Sequence, residues 1–361
     1  MTDFACRNDR ACIAVVGVSR HFGLVARTDG IQKRSGREGA VNRTWGERLV
    51  VAVAMVGTLA GSALGQSSMK QECSLALVSR LVAKDTPVCD SKVVLEMAQR
   101  GHAFEQNQMG IASILVLGPD YSEKEARAWF EKAARHGYAS AQVNLAIMYA
   151  NGWGAPINYG AALQWLHAAA DQHFALAYYN LGILYMQGKG VRQDFAEALH
   201  WFQKGAEGGH SGAQTNLGYL YDQGLGCERN LATAAAWYQK AAEAGNPLGE
   251  NNLADLYLKG EGLPQDDAVA FSWFEKAAQQ GHTGARIKLG YMYAEGRGTK
   301  KDPETAYFWI VAADMAGDAR GRDLLHSLEK KLSEQQKSKA RERANRMGQP
   351  EPALSAQMYA Q

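Results

Sequence analysis

Tryptophans recur at Trp129, Trp165, Trp201, Trp237, Trp273 and Trp309, each 36 residues after the last, and only Trp45 and Trp153 fall outside the series. Leucines keep the same step at Leu145, Leu181, Leu217, Leu253 and Leu289, as do tyrosines at Tyr149, Tyr185, Tyr221, Tyr257 and Tyr293. Glycine pairs follow it too: Gly152/Gly154, Gly188/Gly190, Gly224/Gly226, Gly260/Gly262 and Gly296/Gly298. A period of about 20–50 residues marks an array of small units, none of which can bury its apolar face alone. The chain is therefore constrained to stack its units side by side into one continuous core.

Each unit reads as two helices. In residues 175–210, Ala177, Leu181, Leu184 and Tyr185 have the spacing of a buried helical stripe. Gly188 closes that helix as a left-handed cap, and Gly190 lets the loop turn back. Asp194 begins the second helix as an N-cap, and its equivalents Asn158, Asn230, Asp266 and Asp302 all favour that role. Ala198, Trp201 and Ala206 make the second apolar stripe, which places the periodic tryptophans in the core. On that reading Trp237→Ala costs about 3–5 kcal/mol. The small residues beside each leucine (Ala146, Gly182, Gly218, Ala254, Gly290) allow close helix approach.

The run Ala-x-x-x-Leu-Gly-x-x-Tyr-x-x-Gly-x-Gly, followed by Ala-x-x-Trp-x-x-Lys-Ala-Ala-x-x-Gly, resembles the Sel1-like repeat, a relative of the tetratricopeptide repeat. Residues 211–246 carry nearly the whole signature, including Leu217-Gly218, Trp237 and Lys240-Ala241-Ala242. The resemblance covers six copies over residues 103–318 and implies an all-α, right-handed α/α solenoid. The first copy is degenerate, keeping Met109-Gly110, Ser122, Ala126 and Trp129. A half-unit ending at Gly101-His102 makes residues 66–102 an N-terminal segment with a helical cap. Residues 319–361 read as C-terminal capping helices and a tail. Leu325 is in register there, and Ser333 N-caps a last polar helix, a start similar to the closing helix of many bacterial Sel1 proteins.

Residues 1–65 form an N-terminal extension and a signal peptide. Residues 1–48 hold nine Lys/Arg and five acids, and Leu49 to Gly65 (LVVAVAMVGTLAGSALG) has no charge. With Arg43 and Arg48 before it and Ala63-Leu64-Gly65 after it, this is the order of a secretory leader, cleaved after Gly65. An uncleaved anchor is the alternative, but the stretch is short and weakly apolar for a span. The expected location is the periplasm or outside the cell. Cys73 and Cys89 would then lie in an oxidising compartment and form a candidate disulfide.

Catalytic motifs are missing: there is no His-Glu-x-x-His, Cys-x-x-Cys, Gly-x-Ser-x-Gly or phosphate loop. Ser67-x-x-Lys70 and Ser327-x-x-Lys330 match the pattern of penicillin-recognising enzymes without the helix context it needs. His210 and His282 share the inter-repeat turn position with Tyr138, Phe174 and Asn246 and read as turn residues. The ladder Asn144, Asn180, Asn216, Asn252 belongs to the repeat pattern and reads as structural. The formal net charge of +2 gives no support for nucleic-acid binding. No cofactor or metal is expected.

What remains is surface. Positions that vary between copies form a second stripe on the first helices: Val143/Ile147/Ala150, Tyr179/Ile183/Met186, Thr215/Tyr219/Asp222, Asn251/Asp255/Leu258 and Ile287/Tyr291/Ala294. By analogy with related solenoids this stripe lines a concave side, and Tyr179, Ile183, Met186, Tyr219, Asn251, Asp255 and Tyr291 are its candidate partner-binding residues. The same periodicity also fits side chains packed between neighbouring repeats. The resemblance implies a non-enzymatic adaptor that binds an unidentified protein partner in the bacterial envelope, touching the membrane only if the leader stays uncleaved. A cell-wall enzyme or muropeptide binder is the alternative.

Overall fold

A computed structural model describes residues 91–115 and 122–347. The proposed leader, Cys73 and Cys89 lie outside the described residues. Among those described there are α-helices and one short 3-10 helix, and no strand. The helices are α1 (Ser91–Gln99), α2 (Ala103–Leu115), α3 (Glu123–Arg135), α4 (Ala139–Asn151), α5 (Tyr159–Ala170), α6 (Ala175–Gln187), α7 (Phe195–Glu207) and α8 (Ser211–Gln223). They continue as α9 (Leu231–Glu243), α10 (Pro247–Lys259), α11 (Asp267–Gln279), α12 (Thr283–Glu295), α13 (Pro303–Met315), α14 (Arg322–Glu329) and α15 (Glu334–Met347). The chain divides into two compact units at Ala213/Gln214, within α8. In each unit the first and second helix of a repeat pack together, and each pair packs on the next.

The local signals in the sequence are realised. Asn158, Asp194, Asn230, Asp266 and Asp302 each accept hydrogen bonds from first-turn amides of the helix that follows, as Ser122 does at the head of α3. Gly188 closes α6 at φ 66°, the left-handed region that glycine enters without a Cβ clash. The second glycine of each pair has a different reason. A Cβ on Gly262 would lie 2.5 Å from the Leu231 carbonyl oxygen, and one on Gly154 2.5 Å from that of Glu123. The loop of one repeat thus presses on the start of the preceding repeat's second helix, where only backbone fits.

The deepest row of the core is one residue beyond the tryptophans. Phe130, Leu166, Phe202, Tyr238, Phe274 and Ile310, again at the 36-residue step, have at most 2% of their surface exposed. Opposite them stand the small residues of the first helices. A Cβ on Gly182 would come within 2.6 Å of the Phe202 ring, and one on Gly218 within 2.7 Å of Tyr238. Large and small therefore interdigitate across each helix pair. The expectation for the tryptophans is corrected: Trp129, Trp165, Trp201, Trp237 and Trp273 are only half-buried. Successive helical positions are about 100° apart, so turning the next residue into the core leaves the indole at the helix flank. There, except at Trp165 where Ala168 takes the place, a lysine three positions on covers it, with the Lys276 ammonium 3.7 Å from the Trp273 centroid and Lys240 4.1 Å from Trp237.

Trp309 is the exception, and the C-terminal cap explains it. In the second unit α14 and α15 fold over α13, so Phe308 and Trp309 are buried with Leu328, Ala340 and Ala344. Ser333 and Gln336 form a reciprocal capping box at the head of α15: the Ser333 hydroxyl accepts from the Gln336 amide, and the Gln336 side chain accepts from the Ser333 amide. Arg343 lies 4.1 Å over the Phe308 ring, so a polar helix still seals an apolar end.

Candidate protein-binding face

Each first helix presents its variable stripe at three positions, and the structure treats them differently. The leading position is buried in every copy: Val143, Tyr179, Thr215, Asn251 and Ile287 are 0–9% exposed. Its side chains meet the next first helix or turn. Tyr179 stacks on His210 with centroids 4.6 Å apart, and the Thr215 hydroxyl lies 3.2 Å from where a Cβ on Gly249 would be. Tyr179 and Asn251 are therefore not on an exposed face, because this position joins one repeat to the next.

The middle position separates the two units. In the first, Ile147 is 7% and Ile183 4% exposed, which removes Ile183 from any open groove. Met186, one turn on, is half-buried. In the second unit the same position holds Tyr219, Asp255 and Tyr291, on α8, α10 and α12. Tyr219 is 41% and Tyr291 37% exposed, and among the described residues the only other exposed large apolar side chains are Ile157 and Met315. Between the tyrosines, the Asp255 carboxylate accepts a hydrogen bond from Lys288 Nζ at 2.6 Å. Lys288 stands at the ladder position that the earlier copies give to asparagine. Beneath this strip Tyr238 is pushed far above the ordinary phenol range by burial first and by the nearby Asp222 carboxylate second.

Two features of the turns escaped the sequence reading. The fourth residue of the first helix reaches back to the end of the preceding helix: Gln106 donates to the Ala98 carbonyl at 3.0 Å, Gln142 to that of Ala134 at 3.3 Å and Arg286 to that of Ala278 at 3.2 Å. These are last-turn carbonyls that the helix cannot satisfy itself. At the same position Glu250 is 2% exposed and accepts from Gln280 Nε2 at 2.7 Å. The 36-residue recurrence of polar residues at 106, 142, 214, 250 and 286 was the available signal. The second feature is the pair His210 and His282. They are turn residues, as expected, and also N-caps, each accepting through Nδ1 from the amide three residues on, Ala213 or Ala285, at 3.1 Å.

The ladder is structural where it is buried. Asn144 donates to Asn107 Oδ1 at 3.0 Å, both residues being fully buried, and Asn180 donates to the Leu176 carbonyl at 2.8 Å. Ser327 lies in the last turn of α14 with Lys330 just beyond its end, not at the helix start that its motif requires. No group of three or more potential metal ligands occurs among the described residues. None of their helices is long and apolar enough to cross a membrane.

The Sel1 repeat family model matches residues 108–138, 139–174, 175–210, 211–246, 247–282 and 284–313, more than half of the chain. The chain belongs to the Sel1 repeat family. Its fold is similar to the crystal structure of a Sel1 repeat protein from Oxalobacter formigenes, at 28% identity and a TM-score of 0.58, covering 63% of this chain and 100% of that one. A protective antigen with an SLR fold, c5321 of uropathogenic Escherichia coli, is 22% identical over 85% of this chain and 86% of its own, with a TM-score of 0.44. Immunity protein Pa5087 of Pseudomonas aeruginosa is 19% identical over 68% and 85%, with a TM-score of 0.38. Among curated proteins no match was found. Sel1 repeat proteins are generally non-catalytic scaffolds that bind other proteins.

Proposed function

We propose that this Sel1 repeat protein is an exported adaptor that captures a protein partner on the first-helix face of its second unit, through Tyr219, Tyr291 and the Asp255–Lys288 pair between them. The observation that carries the reading is the exposure of two tyrosines at one repeat position, on either side of a charged pair. Amphipathic rings of this kind bring large contact area with little rotamer entropy to lose, and tyrosine is enriched among the residues that dominate binding energy. The paired charges give such a face orientation: a partner segment that inserts apolar side chains between the tyrosines also meets a fixed donor and acceptor. Export is supported by the charge pattern around residues 49–65.

The test is capture from envelope extracts by the mature chain and by Tyr219→Ala/Tyr291→Ala. Each truncation is expected to weaken binding by about 2 kcal/mol or more, so the double variant loses a micromolar partner while its melting temperature stays near that of wild type. A folded double variant that still captures the partner refutes the face. N-terminal sequencing from the native host is expected to start at or near Gln66, and an intact chain in the cytosol refutes export.

A further inference from the structure

Three consecutive first helices, α8, α10 and α12, begin with a side-chain cap, but the caps differ in kind. Asn246 Oδ1 accepts from the amides of Leu248 and Gly249 at 3.1 and 3.0 Å. On either side the cap is an imidazole, His210 before α8 and His282 before α12, each bonded through Nδ1. An amide oxygen accepts at any pH, whereas a ring nitrogen accepts only while unprotonated. Protonation would place an N–H against the amide N–H of Ala213 or Ala285. It would also put a positive charge at the positive end of the helix dipole.

We infer that His210 and His282 are acid-sensitive N-caps, so that acidification loosens the starts of α8 and α12 while α10 between them stays capped. The surroundings oppose protonation in both places. His210 is covered by the Tyr179 ring from α6, and its own amide donates to the Gly205 carbonyl of α7 at 2.9 Å. Burial pushes its pKa down to about 4, against a smaller upward effect of a backbone hydrogen bond. His282 is lowered by burial first and by the Arg320 guanidinium next, against the Asp255 carboxylate of α10 and that of Asp318 after α13. Asp318 is itself bound to Arg320 and to the Thr283 hydroxyl.

Because each folded-state pKa lies below the ordinary histidine value of about 6.5, the opened form takes up the proton first. The stabilisation is complete above that value and is lost as pH falls through the window, which for His210 extends down to about 4. Within that window local opening at His210 grows about tenfold per pH unit, and opening at His282 grows in the same direction.

The experiment is amide hydrogen exchange on the mature chain without a partner, expressed as protection relative to each amide's intrinsic rate. Between pH 7 and pH 5 the first-turn amides of α8 are expected to lose more than tenfold protection and those of α12 to lose protection in the same direction, while those of α10 keep theirs. His210→Asn and His282→Asn each install the cap found at Asn246 and are expected to abolish the loss in their own helix. Equal pH courses in all three helices, a loss confined to one histidine-capped helix, or a loss that survives the Asn variants overturns the inference. Because α8 and α12 carry Tyr219 and Tyr291, acid should also release a partner held there. That consequence rests on the proposed binding face, whereas exchange measured without a partner reads the caps alone.

Discussion

At the middle position of the variable stripe, the first unit holds Ile111, Ile147 and Ile183 and the second holds Tyr219, Asp255 and Tyr291. The three isoleucines are 1–7% exposed, and the two tyrosines 41% and 37%. The backbone role is the same in all six copies, yet at this middle position the first unit's side chains are buried and the second unit's two tyrosines are exposed. A repeat thus fixes which face of a helix looks inward to its own pair. The first unit buries this position, and the second leaves it open to solvent.

The sharpest way to break that comparison is to place a charge at the same position in each unit. Ile147→Asp puts a carboxylate at a position only 7% exposed within the first unit's apolar core. Removing such a charge from water costs several kcal/mol even after relaxation, which should unfold the first unit or lower its melting temperature by more than 10 °C. Tyr219→Asp at the equivalent exposed site should change stability by no more than about 0.5 kcal/mol. Thermal melts followed by circular dichroism check both, and similar losses in the two variants would remove the distinction between the units.

The next largest effect tests what the units share. Phe202→Ala in the first unit and Phe274→Ala in the second each delete a fully buried ring and should cost about 3–5 kcal/mol in urea titrations. The neighbouring Trp201→Ala and Trp273→Ala should cost less, about 1–3 kcal/mol, since each indole keeps one flank in solvent under its lysine. If the tryptophan variants prove the more damaging, the deep row has been misassigned.

The tryptophan row shows how far the sequence carries. Fold and helix ends were legible because they rest on residues with one dominant use: glycine at positive φ, Asp or Asn before a first turn, leucine at a helical step. The identical tryptophans drew the eye to the wrong row, since identity at a fixed spacing reports a repeated environment and not depth. Phe130, Leu166, Phe202, Tyr238, Phe274 and Ile310 vary in type while sharing the same depth, so identity at a fixed spacing does not single them out. The proposed binding face was half legible for the same reason. Tyr179 and Tyr219 look alike in a list of variable positions, but one stands at the leading position and stacks on a turn histidine, while the other stands one helical turn further on and faces water. The burial of Glu250 was harder to read: the 36-residue recurrence marks its position, but its partner Gln280 lies 30 positions away in the sequence.

The smallest expected effect sharpens the comparison at the ladder position, between Asn144 of the first unit and Lys288, which follows Asn216 and Asn252 in the second. Asn144 donates to Asn107 Oδ1 deep in the core, and neither amide has a spare partner, since Asn107 Nδ2 and Asn144 Oδ1 both lack one. Asn144→Ala would strand the Asn107 oxygen as well, and leaving a buried acceptor unsatisfied costs about 1–3 kcal/mol. Lys288 pairs with Asp255 from a side chain that is 40% exposed, in a solvated setting where such pairs contribute about 1 kcal/mol or less. Lys288→Ala should therefore barely move the melting temperature, and the little it does move should shrink as salt is raised from 0.05 to about 1 M. The Asn144→Ala loss should be the same at both salt concentrations, because no net charge is involved. A salt-insensitive loss at Lys288 as large as that at Asn144 would mean that the second unit also uses this position to hold its repeats together, and that the Asp255–Lys288 pair belongs to its framework and is not free to meet a partner.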